Sequence, residues 1–158
     1  MLIRAAKYDD IELLIEMGER MHKEGAYAFL PFDREKVRRF IISYIDDHEI
    51  QCGLVAEEGG VVVGMFAGYV TDYFFCDAKV ACDMILYVDR EHRGSSAATR
   101  LIRAFRDWAS ERGAREICLG VSTNIHPETT GHFYEKMGLS HSGALYKQRL
   151  EQDTGRTL

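Results

Sequence analysis

Between Asp89 and Arg100 the chain reads DREHRGSSAATR, a basic turn with almost no side-chain bulk after Arg93. Gly94, Ser95, Ser96, Ala97, Ala98 and Thr99 follow in succession and open an amphipathic stretch. Its apolar residues fall at Ala98, Leu101, Ile102, Phe105, Trp108 and Ala109, the i, i+3, i+4, i+7 spacing of one helical face. The first-turn amides of any helix lack intrahelical partners and carry the positive end of its dipole. With only small side chains around them an anion can approach closely, and Arg93 adds a full positive charge. The chemistry this suits is recognition of a phosphorylated ligand. Simple capping of a surface helix by Ser95 or Ser96 would explain the turn without a ligand. Upstream, Asp83 interrupts the apolar run Val80-Ala-Cys-Asp-Met-Ile-Leu. A carboxylate there either faces solvent or does chemistry.

The elements that must hold these residues read clearly. Leu2 to Ala5 forms a short first strand. Asp9 or Asp10 then caps a helix with Ile11, Leu14, Ile15 and Met21 inward. Residues 25–32 are aromatic and irregular, after which Asp33 caps a second helix carrying Val37, Phe40, Ile41, Tyr44 and Ile45. Gln51 to Glu57 and Val61 to Asp72 flank Glu58-Gly59-Gly60, a hairpin turn. Val80 to Val88 is a third long strand, and Gly113 stops the central helix. Glu116 to Ser122 is another strand, Pro127 to Met137 a helix, and residues 139–147 a final strand. Hairpins mixed with crossover helices give an α/β fold with a mixed sheet. We expect one domain over residues 1–150 and a frayed tail over 151–158.

Composition bounds the function. A chain of 158 residues buries one sizeable core, and a formal net charge of −5 argues against general nucleic-acid binding. No apolar run approaches the roughly 20 residues of a membrane span, and the charged start MLIRAAKYDD makes no secretory signal. Cys52, Cys76, Cys82 and Cys118 contain no CxxC pair and read as reduced thiols. The six histidines show no HExxH pairing, so no metal is expected. The expected setting is the cytoplasm.

Two segments carry a resemblance. Arg93, Ser96 and Ala98 take the three defined places of an Arg/Gln-x-x-Gly-x-Gly/Ala phosphate loop running from strand to helix, with serine where glycine is usual. Phe133-Tyr134-Glu135-Lys136-Met137-Gly138-Leu139 is similar to a Phe/Leu-Tyr-Glu-Lys-x-Gly-Phe segment at the end of a later helix. Both, in this order and with a strand between them, resemble the GNAT acyltransferase superfamily. The resemblance implies a fold in which two parallel strands, here Val80 to Val88 and Glu116 to Ser122, splay apart around acetyl-CoA. The pyrophosphate would lie on the amides of Gly94, Ser95, Ser96, Ala97, Ala98 and Thr99, beside Arg93. The backbone from Ile85 through Tyr87 to Val88 would pair with the pantetheine arm, and an amide near Tyr87 or Val88 would polarise the thioester carbonyl. Asn124 corresponds to an asparagine that touches the arm, displaced by three residues from the commonest spacing.

The same resemblance assigns Tyr134 as the acid that protonates the leaving thiolate. A phenol with a reference pKa of about 10 suits a thiol of about 8.5; packing alone would also account for it. Asp83 is the candidate general base, with Glu24 as the alternative. The implied reaction is direct acetyl transfer from acetyl-CoA to a primary amine on a small molecule or protein. Tyr27 to Phe32 and Tyr69 to Phe75 would wall the acceptor pocket, and a homodimer is compatible with this reading. A non-catalytic acyl-CoA-binding domain and a protein-interaction module are the competing readings.

Overall fold

In the computed structural model, which describes residues 1–150, apolar strands and apolar helical stripes meet across one five-stranded sheet. The chain clusters into two units, Met1–Ile125 and His126–Leu158. The first unit runs β1 (Leu2–Ala5), α1 (Ile11–Glu24), α2 (Arg34–Asp46), β2 (Gln51–Glu58), β3 (Val61–Asp72), β4 (Lys79–Val88), α3 (Ala97–Glu111) and β5 (Ala114–Cys118). The strands lie in the order β1-β2-β3-β4-β5. Neighbours are antiparallel until β4 and β5, which are parallel and joined through α3. The mixed α/β sheet expected from the element order is thus present.

Local chemistry explains most of the boundaries. The Asp33 carboxylate accepts a 3.0 Å hydrogen bond from the Lys36 amide and starts α2. Gly59 and Gly60 take φ of 59° and 85° and turn β2 into β3. Asp10 stands at the start of α1, but its carboxylate does not cap the helix. It accepts from Arg4 Nη1 at 2.7 Å, Arg4 Nη2 at 2.9 Å and the Lys7 amide at 2.9 Å. Burial would raise the Asp10 pKa, but the Arg4 guanidinium and the Lys7 amide outweigh it and hold the carboxyl below its usual range.

Two apolar clusters sit against the sheet. Ile15 and Met17 of α1 and Ile41 and Ile45 of α2 pack with Val55, Met65 and Tyr87. Leu101, Phe105 and Ala109 of α3 pack with Cys52, Ala56, Val63 and Phe66. The inward residue at the start of α3 is Ala97, which is wholly buried, while Ala98 is half-buried, a one-position shift from the expected stripe. Phe105 lies 4.6 Å from the Phe66 ring centroid and stacks on Trp108. Gly68 makes room for it: a Cβ there would sit 2.7 Å from the Phe105 ring and 2.9 Å from the Cys82 carbonyl oxygen.

The second unit holds α4 (Pro127–Lys136), with proline at its first turn, where a missing N–H costs nothing. Gly138 at φ 89° ends it, and the Leu139 amide closes back on the Tyr134 carbonyl at 3.1 Å. The final strand expected over 139–147 is not formed. Residues 139–150 adopt no strand, and Leu145, Tyr146 and Leu150 are exposed. Among the described residues of this unit there is no strand for the segment to pair with. The expected tail over 151–158 lies outside the described residues. Among the described residues no helix is long and apolar enough to cross a membrane.

Candidate active site

The pairing of β4 with β5 is short. It matches Lys79 with Ala114, Ala81 with Ile117 and Cys82 with Cys118, and there it stops, although β4 continues to Val88. The strand expected over Glu116 to Ser122 therefore begins at Ala114 and ends at Cys118. A side chain marks the divergence: the Gly120 amide donates to Asp83 Oδ1 at 2.9 Å instead of continuing the ladder. On its other edge β4 carries a bulge. Gly68 opposes Asp83 and Ala67 opposes Ile85, so Met84 is the extra residue. A bulge re-aims backbone groups and is common beside active sites. Beyond it, Ile85, Tyr87 and Val88 form the length of β4 that β5 does not cover.

Asp83 is half-buried, neither fully solvent-facing nor sealed. Burial pushes its carboxyl up from 3.8 to about 6, with the Gly120 amide working against the rise. Ionised Asp83 thus costs the fold stability. The cost is absent below about pH 4, sets in between about 4 and 6, and is complete above that window. Asp83→Asn, which keeps the acceptor for Gly120, should raise the melting temperature over the unsubstituted chain at pH 7 and lose that advantage at pH 4.

At the end of β4 a turn over Arg90–His92 leads into the small-residue loop. Its left-handed residue is Gly94, at φ 87°. Ser96 takes φ −77°, which any residue adopts, so serine is unstrained where the phosphate-loop pattern has glycine. The Ala97 amide donates to Ser95 Oγ at 3.3 Å, and Ser96 caps α3 without a side-chain bond. Gly94, Ser95 and Ser96 are exposed, whereas Ala98 and Thr99 are half-buried in the first turn. Ser96→Gly should leave CoA affinity within about twofold, since it alters no strained geometry; a loss of tenfold or more, by calorimetry, would make the hydroxyl the contact.

Arg93 reaches back from this loop. Its Nε donates to the Val88 carbonyl at 3.1 Å, its Nη2 to Glu24 Oε2 at 2.7 Å, and its guanidinium lies 5.5 Å from the Tyr87 ring centroid. Arg90 Nη2 lies 3.5 Å from Glu24 Oε1, and Arg20 grips Asp89 through two 3.1 Å bonds. Burial, with Glu24 and Asp89 nearby, raises the Tyr87 pKa. Next to Glu24 opens a cleft of about 490 Å³, lined among others by Arg20, Lys23, Tyr87, Arg90 and His92.

The first unit thus joins Asp83 and the uncovered end of β4 on one strand, and the loop from Arg93 to Thr99 follows directly. Asn124 lies in the connection after β5 in the left-handed conformation, φ 59°, which asparagine tolerates. Tyr134 is buried on α4 of the second unit. The Met84 bulge, the Gly120 bond and the Arg93–Glu24 pair were not foreseen. A carboxylate at the last position of α1 was the one available sign of the last.

Known proteins resemble this chain in sequence and in fold. The sequence model of the acetyltransferase (GNAT) family matches residues 17–139, from α1 through β4, the loop and α4. A Bacillus subtilis (strain 168) protein named uncharacterized N-acetyltransferase YhfO is 28% identical over 155 residues, covering 98% of this chain and 93% of its own length. The glucosamine-6-phosphate N-acetyltransferase of Arabidopsis thaliana has a similar fold, with a TM-score of 0.75 at 17% identity over 95% of this chain and 98% of that one. AAC(6')-Iy, solved with the bisubstrate analog CoA-S-monomethyl-acetylneamine, superposes with a TM-score of 0.76 at 16% identity, over 96% of this chain and 98% of its own. The strand divergence, the phosphate-type loop and the tyrosine-bearing helix all fall inside the family match, and the chain belongs to the acetyltransferase (GNAT) family.

Proposed function

We propose that the acetyl transfer of this family is carried out here with Asp83 as general base and Tyr134 as general acid, acetyl-CoA being held by the loop from Arg93 to Thr99. The observation that carries the reading is the end of β4–β5 pairing at Cys82 and Cys118, with Asp83 at the fork. The length of β4 from Ile85 to Val88 that β5 leaves unpaired offers backbone groups to the amides of a pantetheine arm, and Asn124, beyond β5, would touch that arm. The pyrophosphate would settle on the amides from Gly94 to Thr99. The expected acceptor is a primary amine of a small molecule or a protein, the expected setting is the cytoplasm, and residues 1–150 would act as one acetyltransferase domain.

The steps balance as follows. The neutral amine nitrogen attacks the thioester carbon, and a β4 amide near Tyr87 or Val88 stabilises the oxyanion. The C–S bond breaks, and the thiolate takes the Tyr134 phenolic proton. The ammonium proton of the new amide nitrogen passes to Asp83, directly or through water. Asp83 suits this role because a base is most effective with a pKa near the working pH, and its own is about 6.

In consequence kcat/KM for acetyl-CoA at saturating amine should rise with pH through an inflection near 6. Asp83→Asn should remove that inflection and lower turnover by about 10²-fold. A profile that keeps the inflection in the variant would remove the base role from Asp83. The activity itself is tested by acetyl transfer to a panel spanning polyamines, aminoglycosides and lysine peptides.

A further inference from the structure

We infer that Glu24 and the phosphates of acetyl-CoA compete for one edge of Arg93, so that cofactor binding releases Glu24 to hold the cationic acceptor. The inference rests on the acyl-CoA reading above and assigns that site a coupling between its two substrates and a specificity residue.

A guanidinium grips phosphate through two parallel N–H donors on one edge. On Arg93 the Nε–Nη2 edge is already used, by the Val88 carbonyl at 3.1 Å and by Glu24 Oε2 at 2.7 Å. A phosphate taking that edge must displace both. Val88 is also the last residue of the strand that would pair with the pantetheine arm, so the same exchange clears its carbonyl. Before CoA arrives, Arg93 is thus held away from its ligand by the groups that the substrates need.

Glu24 cannot be left alone afterwards. Its side chain is 17% exposed, and a carboxylate so little hydrated needs a cation. Of the other cations lining the cleft, Arg20 is paired with Asp89 and Lys23 with Glu19, which leaves Arg90 at 3.5 Å, whose own side chain is 76% exposed and which therefore holds weakly. The adjoining cleft of about 490 Å³ falls within the size range of small-molecule sites. The reacting nitrogen must be neutral, so the cation that the reaction can bring there is a second, non-reacting ammonium of a polyamine-, aminoglycoside- or lysine-type acceptor. The two substrates then reinforce each other through Arg93. Asp83, not Glu24, remains the base; Glu24 is the anchor for the acceptor's positive charge.

A double-mutant cycle on CoA affinity tests this by calorimetry on the full chain, with melting temperatures confirming that each variant is folded. Glu24→Gln should bind CoA about fivefold more tightly, the equivalent of one partly exposed ion pair. Arg93→Ala should bind it more weakly, and adding Glu24→Gln to Arg93→Ala should change nothing further. Glu24→Asp, which draws the charge back by one methylene, should tighten binding in the same direction but less. The KM for the best amine of the panel should rise about tenfold in Glu24→Gln while the KM for acetyl-CoA falls. Unchanged or weaker CoA binding in Glu24→Gln, equal tightening in the Arg93→Ala background, or an unchanged amine KM would overturn the inference. Absence of any CoA binding to the unsubstituted protein would overturn the acyl-CoA reading along with it. Binding that needs Arg93 and ignores Glu24 would overturn the exchange alone.

Discussion

Tyr134→Phe should lower turnover by about 10²- to 10⁴-fold, the usual contribution of a positioned acid, while the KM for acetyl-CoA and the melting temperature hardly move. The substitution keeps the ring and its packing and removes only the phenolic proton. Tyr134 is buried on α4, so a purely structural role makes the opposite forecast. Loss of a buried, hydrogen-bonded hydroxyl would cost roughly 1 to 3 kcal/mol of stability and leave turnover of the folded fraction intact. Kinetics and melting on one variant separate the two. Activity that survives the change would hand the proton to water or to CoA itself.

Phe105→Ala should act on the fold and not on the chemistry. Phe105 is wholly buried between Phe66 and Trp108. Truncating a core phenylalanine costs about 3 to 5 kcal/mol through lost burial and the cavity left behind. For a chain of this size that corresponds to a fall of about 6 to 20 °C in melting temperature. Gly68, against which the ring packs, has no side chain to fill the gap. At a temperature where the variant is folded, the KM for acetyl-CoA should be unchanged. A fall of only a degree or two would mean that α3 is not anchored through this residue.

What the residues disclosed in advance was mainly what is decided locally. Asp33 caps α2 through the Lys36 amide because both groups lie within one turn. Gly59 and Gly60 turn the hairpin because no other residue type takes positive φ so cheaply. The apolar stripe of α3 is legible because helical periodicity survives any tertiary context. Features set by a distant partner were hidden. Asp10 looks like a helix cap, yet Arg4 claims its carboxylate. The strand after α3 ends at Cys118, where Asp83, far away in sequence, takes the Gly120 amide. The Met84 bulge is a fact about register with β3, and register is invisible in one strand. Residues 139–147 were expected as a strand, but among the described residues of their unit there is no ladder to join. In the proposed site, Asp83 and Arg93 stood out by charge and position. Their partners, Gly120 and Glu24, emerged only from the fold.

The central claim is that the loop from Arg93 to Thr99 and the uncovered end of β4 bind acyl-CoA, and thermal unfolding with added CoA tests it most directly. A ligand at 100 times its dissociation constant adds about 2.7 kcal/mol to the folded state. The melting temperature of the unsubstituted chain should therefore climb by several degrees at millimolar CoA. Arg93→Ala should need a much higher concentration for the same shift. An unsubstituted chain whose melting temperature stays fixed through millimolar CoA would contradict the account.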